Sequence, residues 1–301
     1  MKSTHDDILE LLSFYRRLGR PLTRFEIHRL LPAPDDTEPL ELENALLALA
    51  DNNKIYAEDG FYTVVDASLP SLKRRMQDLV SDMKWKRFLK SVRWLRHVPF
   101  VEFALASGSM AFGNVTPMSD FDLLVAVRKG RMFTTRYLIN LLFTVLGMRR
   151  MNDLHDADAD KLCFNHFITE ATFEKQPHNF YRGQLYKNFV PLLGKKKAIA
   201  AFLKANQWAN PSEPLLRDKR FYDAGENGWK RAGGWILGGV VGDLLERNIL
   251  KPIATRRLVH YIAKKPKDGR VVVQDDELEF HFDLTKEKKS GKLPSRWCLT
   301  G

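Results

Sequence analysis

Two carboxylates one residue apart, Asp120 and Asp122, stand at the head of an apolar run, Leu123 to Val127. In a strand, side chains alternate between faces, so both acids point the same way and Phe121 points into the packing. Like charges held on one face repel each other. A hard divalent cation offsets that cost, and Mg²⁺, with Mn²⁺ as a substitute, takes oxygen ligands together with the phosphates of a substrate. Upstream, the apolar stretch Val101 to Ala106 leads into Gly108 and Ser109. A tight turn there presents backbone N–H groups and a hydroxyl, the donors that phosphate oxygens accept from. The whole stretch reads as strand, turn with a short helix, loop and second strand, the second strand entered through Ser119.

An apolar strand, Gly-Ser, a short spacer and an apolar-flanked Asp-x-Asp resemble the signature of the polymerase-β-type nucleotidyltransferase superfamily. Gly108, Ser109, Asp120 and Asp122 match it. The resemblance implies an α+β fold: a polymerase-β-like nucleotidyltransferase core, a small mixed sheet with helices, preceded by a winged-helix-like module and followed by a helical C-terminal region. It implies Asp120 and Asp122 as catalytic metal ligands, with Gly108, Ser109 and Ser119 around the nucleotide. The implied reaction moves a nucleoside monophosphate from a nucleoside triphosphate to an acceptor and releases pyrophosphate. Acceptor and base stay open: a small alcohol or amine, a protein hydroxyl and an RNA end all fit. The span from the N-terminal module to Trp208 also resembles a group of bacterial nucleotidyltransferase-domain proteins of undefined substrate.

In that superfamily a third carboxylate often comes from a later strand. The corresponding run here is Leu162 to Thr169. Strict alternation puts Cys163, Asn165 and Phe167 on one face and Phe164, His166 and Ile168 on the other. Neither face offers an acid, and Asp158 and Asp160 read as loop residues. Asn165 stands at the place of the third acid. Its amide oxygen can ligate a metal, but it cannot act as a general base. His166 could serve as a base, though a lone strand histidine reads first as structural. Two alternatives therefore stand beside the enzyme: a nucleotide- or nucleic-acid-binding module on a degenerate core, and a protein-modifying nucleotidyltransferase of the antitoxin type.

Four segments must position these residues: 1–67, 68–98, 99–210 and 211–301. The first reads as a helix over Asp6 to Arg17, a second helix capped by Thr23 with Glu26, a third over Leu40 to Ala50, and a hairpin around Glu58-Asp59-Gly60. The third helix carries a stripe of Leu42, Leu46, Leu47 and Leu49. Its surroundings, Asp35, Asp36, Glu38, Glu41 and Glu43, are acidic. That repels phosphates, so a scaffold role is favoured over DNA contact. Ser68 to Val98 reads as one long helix with Trp85, Phe88, Leu89, Val92 and Leu95 inward, and Arg74, Lys84, Arg87 and other cations on a solvated face. Gly130 to Gly147 reads as a helix with Phe133, Tyr137, Leu138, Leu141, Leu142 and Val145 on its apolar side. Phe180 to Asn210 reads as helical in two parts, Pro211 to Asn227 as a polar linker, and Gly228 to Ile249 as an apolar helix whose glycines allow close packing. Pro252 to Lys265 reads as a basic helix, and Arg270 to Phe282 as a hairpin carrying His281. Leu284 to Gly301 is expected to be a mobile tail.

The chain has 301 residues, 44% hydrophobic and 28% charged, with a net charge of +11. That charge suits anionic partners such as nucleotides or nucleic acid without identifying one. The two cysteines, Cys163 and Cys298, give neither a disulfide framework nor a zinc spacing. The most apolar run, Gly233 to Val241, is too short to span a bilayer. With no secretory pattern at Met1, the expectation is a cytoplasmic protein with no membrane partner.

Overall fold

The computed structural model describes residues 3–64, 70–150, 159–174, 178–211, 218–223, 225, 227–263 and 270–281. Asp158, Cys298, the side chain of His281 and the tail Leu284 to Gly301 lie outside the described residues.

Helix α1, Thr4–Arg17, starts at Ser3, whose hydroxyl and the Asp6 carboxylate cap each other's backbone N–H groups. Strand β1, Leu22–Thr23, leads into α2, Arg24–Leu30, which has the expected Thr23–Glu26 capping box. Helix α3, Pro39–Asp51, follows; it buries Leu42, Ala45, Leu46 and Leu49, while Leu47 turns outward. Strands β2, Ile55–Glu58, and β3, Phe61–Val64, form the expected hairpin. Asp59 and Gly60 both take positive φ (51° and 79°), as a two-residue hairpin turn demands. The small sheet has the order β1-β3-β2.

Helix α4 spans Pro70–Val92 and tightens into a 3₁₀ segment, Arg93–His97, rather than continuing to Val98. Next come β4, Val101–Ala106, the short α5, Gly108–Phe112, and β5, Phe121–Val127. Helix α6, Met132–Val145, β6, Leu162–Ile168, and α7, Phe180–Asn188, follow. The chain goes on through β7, Val190–Gly194, α8, Lys196–Ala205, and β8, Tyr222–Asp223. It ends with α9, Gly228–Leu237, α10, Val240–Leu244, a π-helical turn, Leu245–Leu250, α11, Lys251–Ala263, and the strands β9, Arg270–Val273, and β10, Glu277–His281.

Among the described residues the main sheet has the order β8-β7-β4-β5-β6-β10-β9. Strand β4 is antiparallel to β5, and β5 is parallel to β6. One face packs Phe121, Leu123 and Val125 against Trp85 and Phe88 of α4 and Phe133 and Phe143 of α6. The other packs Leu105, Leu124 and Ala126 against Tyr186 of α7 and Phe202 of α8. A third core joins α1, α2 and α3, and it takes in Phe112 from the end of α5.

Several expectations are corrected. Phe189, Val190 and Leu192 do not continue a helix: Val190 to Gly194 is a buried strand beside β4. Pro191 cannot donate in a helix or a central ladder. It is tolerated here beside a bulge, where β8 does not reach. The linker contributes β8 itself, parallel to β7. On α6 the buried side is Met132, Phe133, Ile139 and Phe143, while Tyr137, Leu141 and Val145 face out. The single apolar helix over Gly228 to Ile249 is instead α9, a corner at Gly238-Gly239, α10 and the π turn. Arg74 and Lys84 are buried rather than solvated.

Candidate functional site

Because β4 and β5 are antiparallel, the end of β4 and the start of β5 meet at one end of the sheet. The Ser107 N–H donates to the Asp122 carbonyl at 3.0 Å, closing the seam. Gly108 then takes φ +55°. A side chain there is strained by that angle and would also overlap the Asp122 carboxylate, whose Cγ would lie 2.9 Å from an added Cβ. Gly108 therefore allows the turn to lie directly on the acid. The N–H groups of Gly108 and Ser109 belong to the first helical turn and have no intrahelical acceptor.

Strand β6 supplies the third side of the site. Asp122 pairs with Cys163, but Leu124 pairs with His166, so two steps along β5 match three along β6. This bulge overturns strict alternation: Leu162, Phe164 and Phe167 share the α4–α6 face. Asn165 meets Asp122, donating from Nδ2 to Oδ1 at 2.8 Å. Its own amide oxygen is buried, with no hydrogen-bond partner among the described residues. Ligand atoms of Asp120, Asp122 and Cys163 lie within 4.8 Å of one another. Burial, followed by the charges of Asp122 and Asp120, pushes the Cys163 thiol well up, so it stays protonated beside Asp122. The two carboxylates are oxygen donors of the kind a hard divalent cation takes, and Asn165, bonded to Asp122, brings an amide into their neighbourhood.

Cations hold the frame of the site. Arg150 Nη1 reaches Asp120 Oδ2 at 2.5 Å. Lys84, buried on α4, donates to the Ser119 carbonyl at 2.5 Å and to Asp160 Oδ1 at 2.7 Å. Arg87 takes the other Asp160 oxygen at 2.5 Å. Burial raises the Asp160 pKa, but the hydrogen bonds and charges of Lys84 and Arg87 outweigh it and hold the carboxyl below its usual range. The Phe121 N–H donates to the Lys161 carbonyl at 2.9 Å. One buried lysine thus ties together the entries to β5 and β6. The N-terminal core braces the other end of α5: Phe112 packs beside Phe14, and the Arg20 guanidinium donates to the Gly113 carbonyl.

The structure therefore brings Gly108, Asp120, Asp122 and Asn165 together. Ser119 lies in the entry turn, its hydroxyl accepting from the Thr116 N–H at 3.0 Å. Asp160 is the loop residue expected. His166 is buried and 3.3 Å from Glu277 on β10, in keeping with a structural role. Sequence reasoning did not assign Arg150, Cys163 or Lys84 to the site. Arg150 left a signal as one of two arginines just after α6, and Cys163 by sharing the predicted strand face of Asn165.

No protein-family model matches this chain, and no curated protein or solved structure matches it. No helix among the described residues is long and apolar enough to cross a membrane.

Proposed function

We propose that the protein is a Mg²⁺-dependent nucleotidyltransferase that moves a nucleoside monophosphate from a nucleoside triphosphate to an acceptor. The observation that carries this reading is the contact of the Gly108 turn with Asp122. It sets the first-turn backbone N–H groups of α5, which have no intrahelical acceptor, beside paired carboxylates, as a triphosphate with its counter-ion requires. The topology supports it: the turn-bearing strand is antiparallel to the Asp-x-Asp strand, which is parallel to the next. In this reading the Gly108 and Ser109 N–H groups donate to phosphate oxygens, and Arg150 adds a guanidinium that matches phosphate geometry. Asp120 and Asp122 would hold Mg²⁺, which would supply charge neutralisation for the departing pyrophosphate, and Asn165 would orient Asp122 through its amide N–H. The N-terminal segment, with the helices and hairpin of a winged-helix-like module, acts as a brace on α5 rather than as a reader of nucleic acid. Glu41 and Glu43 on the exposed side of α3 support that assignment.

One observation favours a second reading. Asn165 occupies the strand position from which an acid would act, so the core can bind a nucleotide and go no further. Pyrophosphate release separates the two. We expect release from a nucleoside triphosphate once an alcohol, a protein hydroxyl or an RNA end is supplied. Metal-dependent binding without release toward any of the three classes would leave the binding module.

A further inference from the structure

Helix α9 is inside out. Its side toward the protein carries Lys230, which is buried and donates from Nζ to the Val101 carbonyl at 2.9 Å. Gly233 lies against Pro99, where an added Cβ would come within 3.0 Å of the ring. Its side toward solvent carries Trp229 and Trp235, which are 75% and 86% exposed. Beyond the corner, Val240 and Val241 are 75% and 70% exposed, with Ile236 and Leu244 also out in solvent. A helix that packs on its own core turns the apolar stripe inward; this one turns it outward.

The placement is locked from both sides of the corner. Arg131 donates from Nε to the Leu237 carbonyl at 2.9 Å and from Nη2 to the Gly238 carbonyl at 3.0 Å, and it pairs with Asp243. Glu246 accepts from the Phe133 and Thr134 N–H groups at 2.8 and 2.7 Å, capping α6. The apolar side chains therefore cannot turn inward without breaking the contacts of the buried Arg131 and Glu246 side chains.

We propose that the α9–α10 corner docks on the surface of an anionic lipid bilayer, inserting its tryptophans and aliphatic side chains at the headgroup level. Charge chooses this occupant. Exposed cations accompany them along the chain: Arg231 on α9, Arg247 in the π turn, and Arg256 and Arg257 on α11. Exposed tryptophans and aliphatic side chains in a segment whose exposed arginines make it basic are the make-up of an interfacial helix. A second copy of the chain would bring the same cations against one another, and a nucleic acid would leave the apolar side chains in water. The docking face lies at the Val101 end of β4, the opposite end from Gly108. It is independent of the nucleotidyltransferase reading.

The test is co-sedimentation of the full chain with phosphatidylcholine vesicles, with and without about one third phosphatidylglycerol. The wild type is expected to pellet with the anionic vesicles and not with the neutral ones. Trp235→Ser combined with Val240→Ser should lower the partition coefficient at least about tenfold. Because both positions are exposed, its circular dichroism and Tm should match the wild type. Arg231→Glu with Arg247→Glu should abolish the preference for anionic vesicles. Asp122→Asn should bind vesicles as the wild type does, whatever it does to nucleotide binding. Failure of the wild type to bind anionic vesicles overturns the proposal. So does sedimentation velocity showing a wild-type dimer that the serine variant turns to monomer, since the face then belongs to a second copy.

Discussion

The two ends of strand β4 are unfinished in opposite ways. At the Ala106 end the surplus is polar: two carboxylates, the first-turn N–H groups of α5 and a buried amide oxygen without a partner among the described residues. At the Val101 end the surplus is apolar: tryptophans and valines held outward by an arginine and a glutamate buried beneath them. A small charged ligand completes the first, because a few directed bonds satisfy it. Only a broad apolar surface completes the second. The pairing of charge and burial is similar at both ends; what is left over differs, and it points to different partners.

That contrast can be broken one end at a time. Gly108→Val has the largest expected effect. It forces a β-branched residue to positive φ and into the Asp122 carboxylate, at a cost of about 4 kcal/mol. Chemical denaturation should show that loss together with loss of nucleotide binding, while any folded fraction keeps its vesicle binding. At the other end, Glu246→Ala removes the cap of α6 and leaves buried donors unpaired, which costs about 3 kcal/mol. Vesicle binding should fall and nucleotide affinity should stay within about twofold.

Acid acts on the N-terminal brace through Glu26, and at the site through Asp160, whose carboxyl Lys84 and Arg87 also hold below its usual range. Burial would raise the Glu26 pKa, but the hydrogen bonds and charge of Arg74, then the Thr23 N–H and Arg20, hold it at about 2. A carboxyl with a depressed folded pKa adds stability that is full above the unfolded value of 4.5 and lost as pH falls through the folded one. The pair is worth on the order of 3 kcal/mol by linkage. Denaturation between pH 5 and about 2 should show a decline that Glu26→Gln flattens. The smallest expected effect is that of Lys84→Met. Arg87 still holds Asp160, so the loss is about 2 kcal/mol. Nucleotide binding should weaken with it, because the entries to β5 and β6 are no longer tied together.

The site end was legible in the sequence because its signals are local. Alternation at Asp120 and Asp122, an apolar run before Gly108 and the Thr23–Glu26 box each need only neighbouring residues. What escaped depends on distant partners. A five-residue apolar run such as Val190 to Gly194 has no periodicity to separate strand from helix, and its proline fits only because β8 is short. The bulge in β6 comes from pairing with β5 and cannot be read from β6 alone. Lys84 looks like any surface lysine until Ser119 and Asp160 arrive from far along the chain. At the C-terminal end, composition showed an apolar helix with small residues, but which face it turned outward was set by Arg131 and Glu246.

The most direct measurement is calorimetric titration of the wild type and Asp122→Asn with ATP, CTP, GTP and UTP, with and without Mg²⁺. The account predicts Mg²⁺-dependent binding of at least one nucleotide by the wild type, lost in a variant that remains folded. No binding by the wild type, or equal binding by the variant, would contradict it.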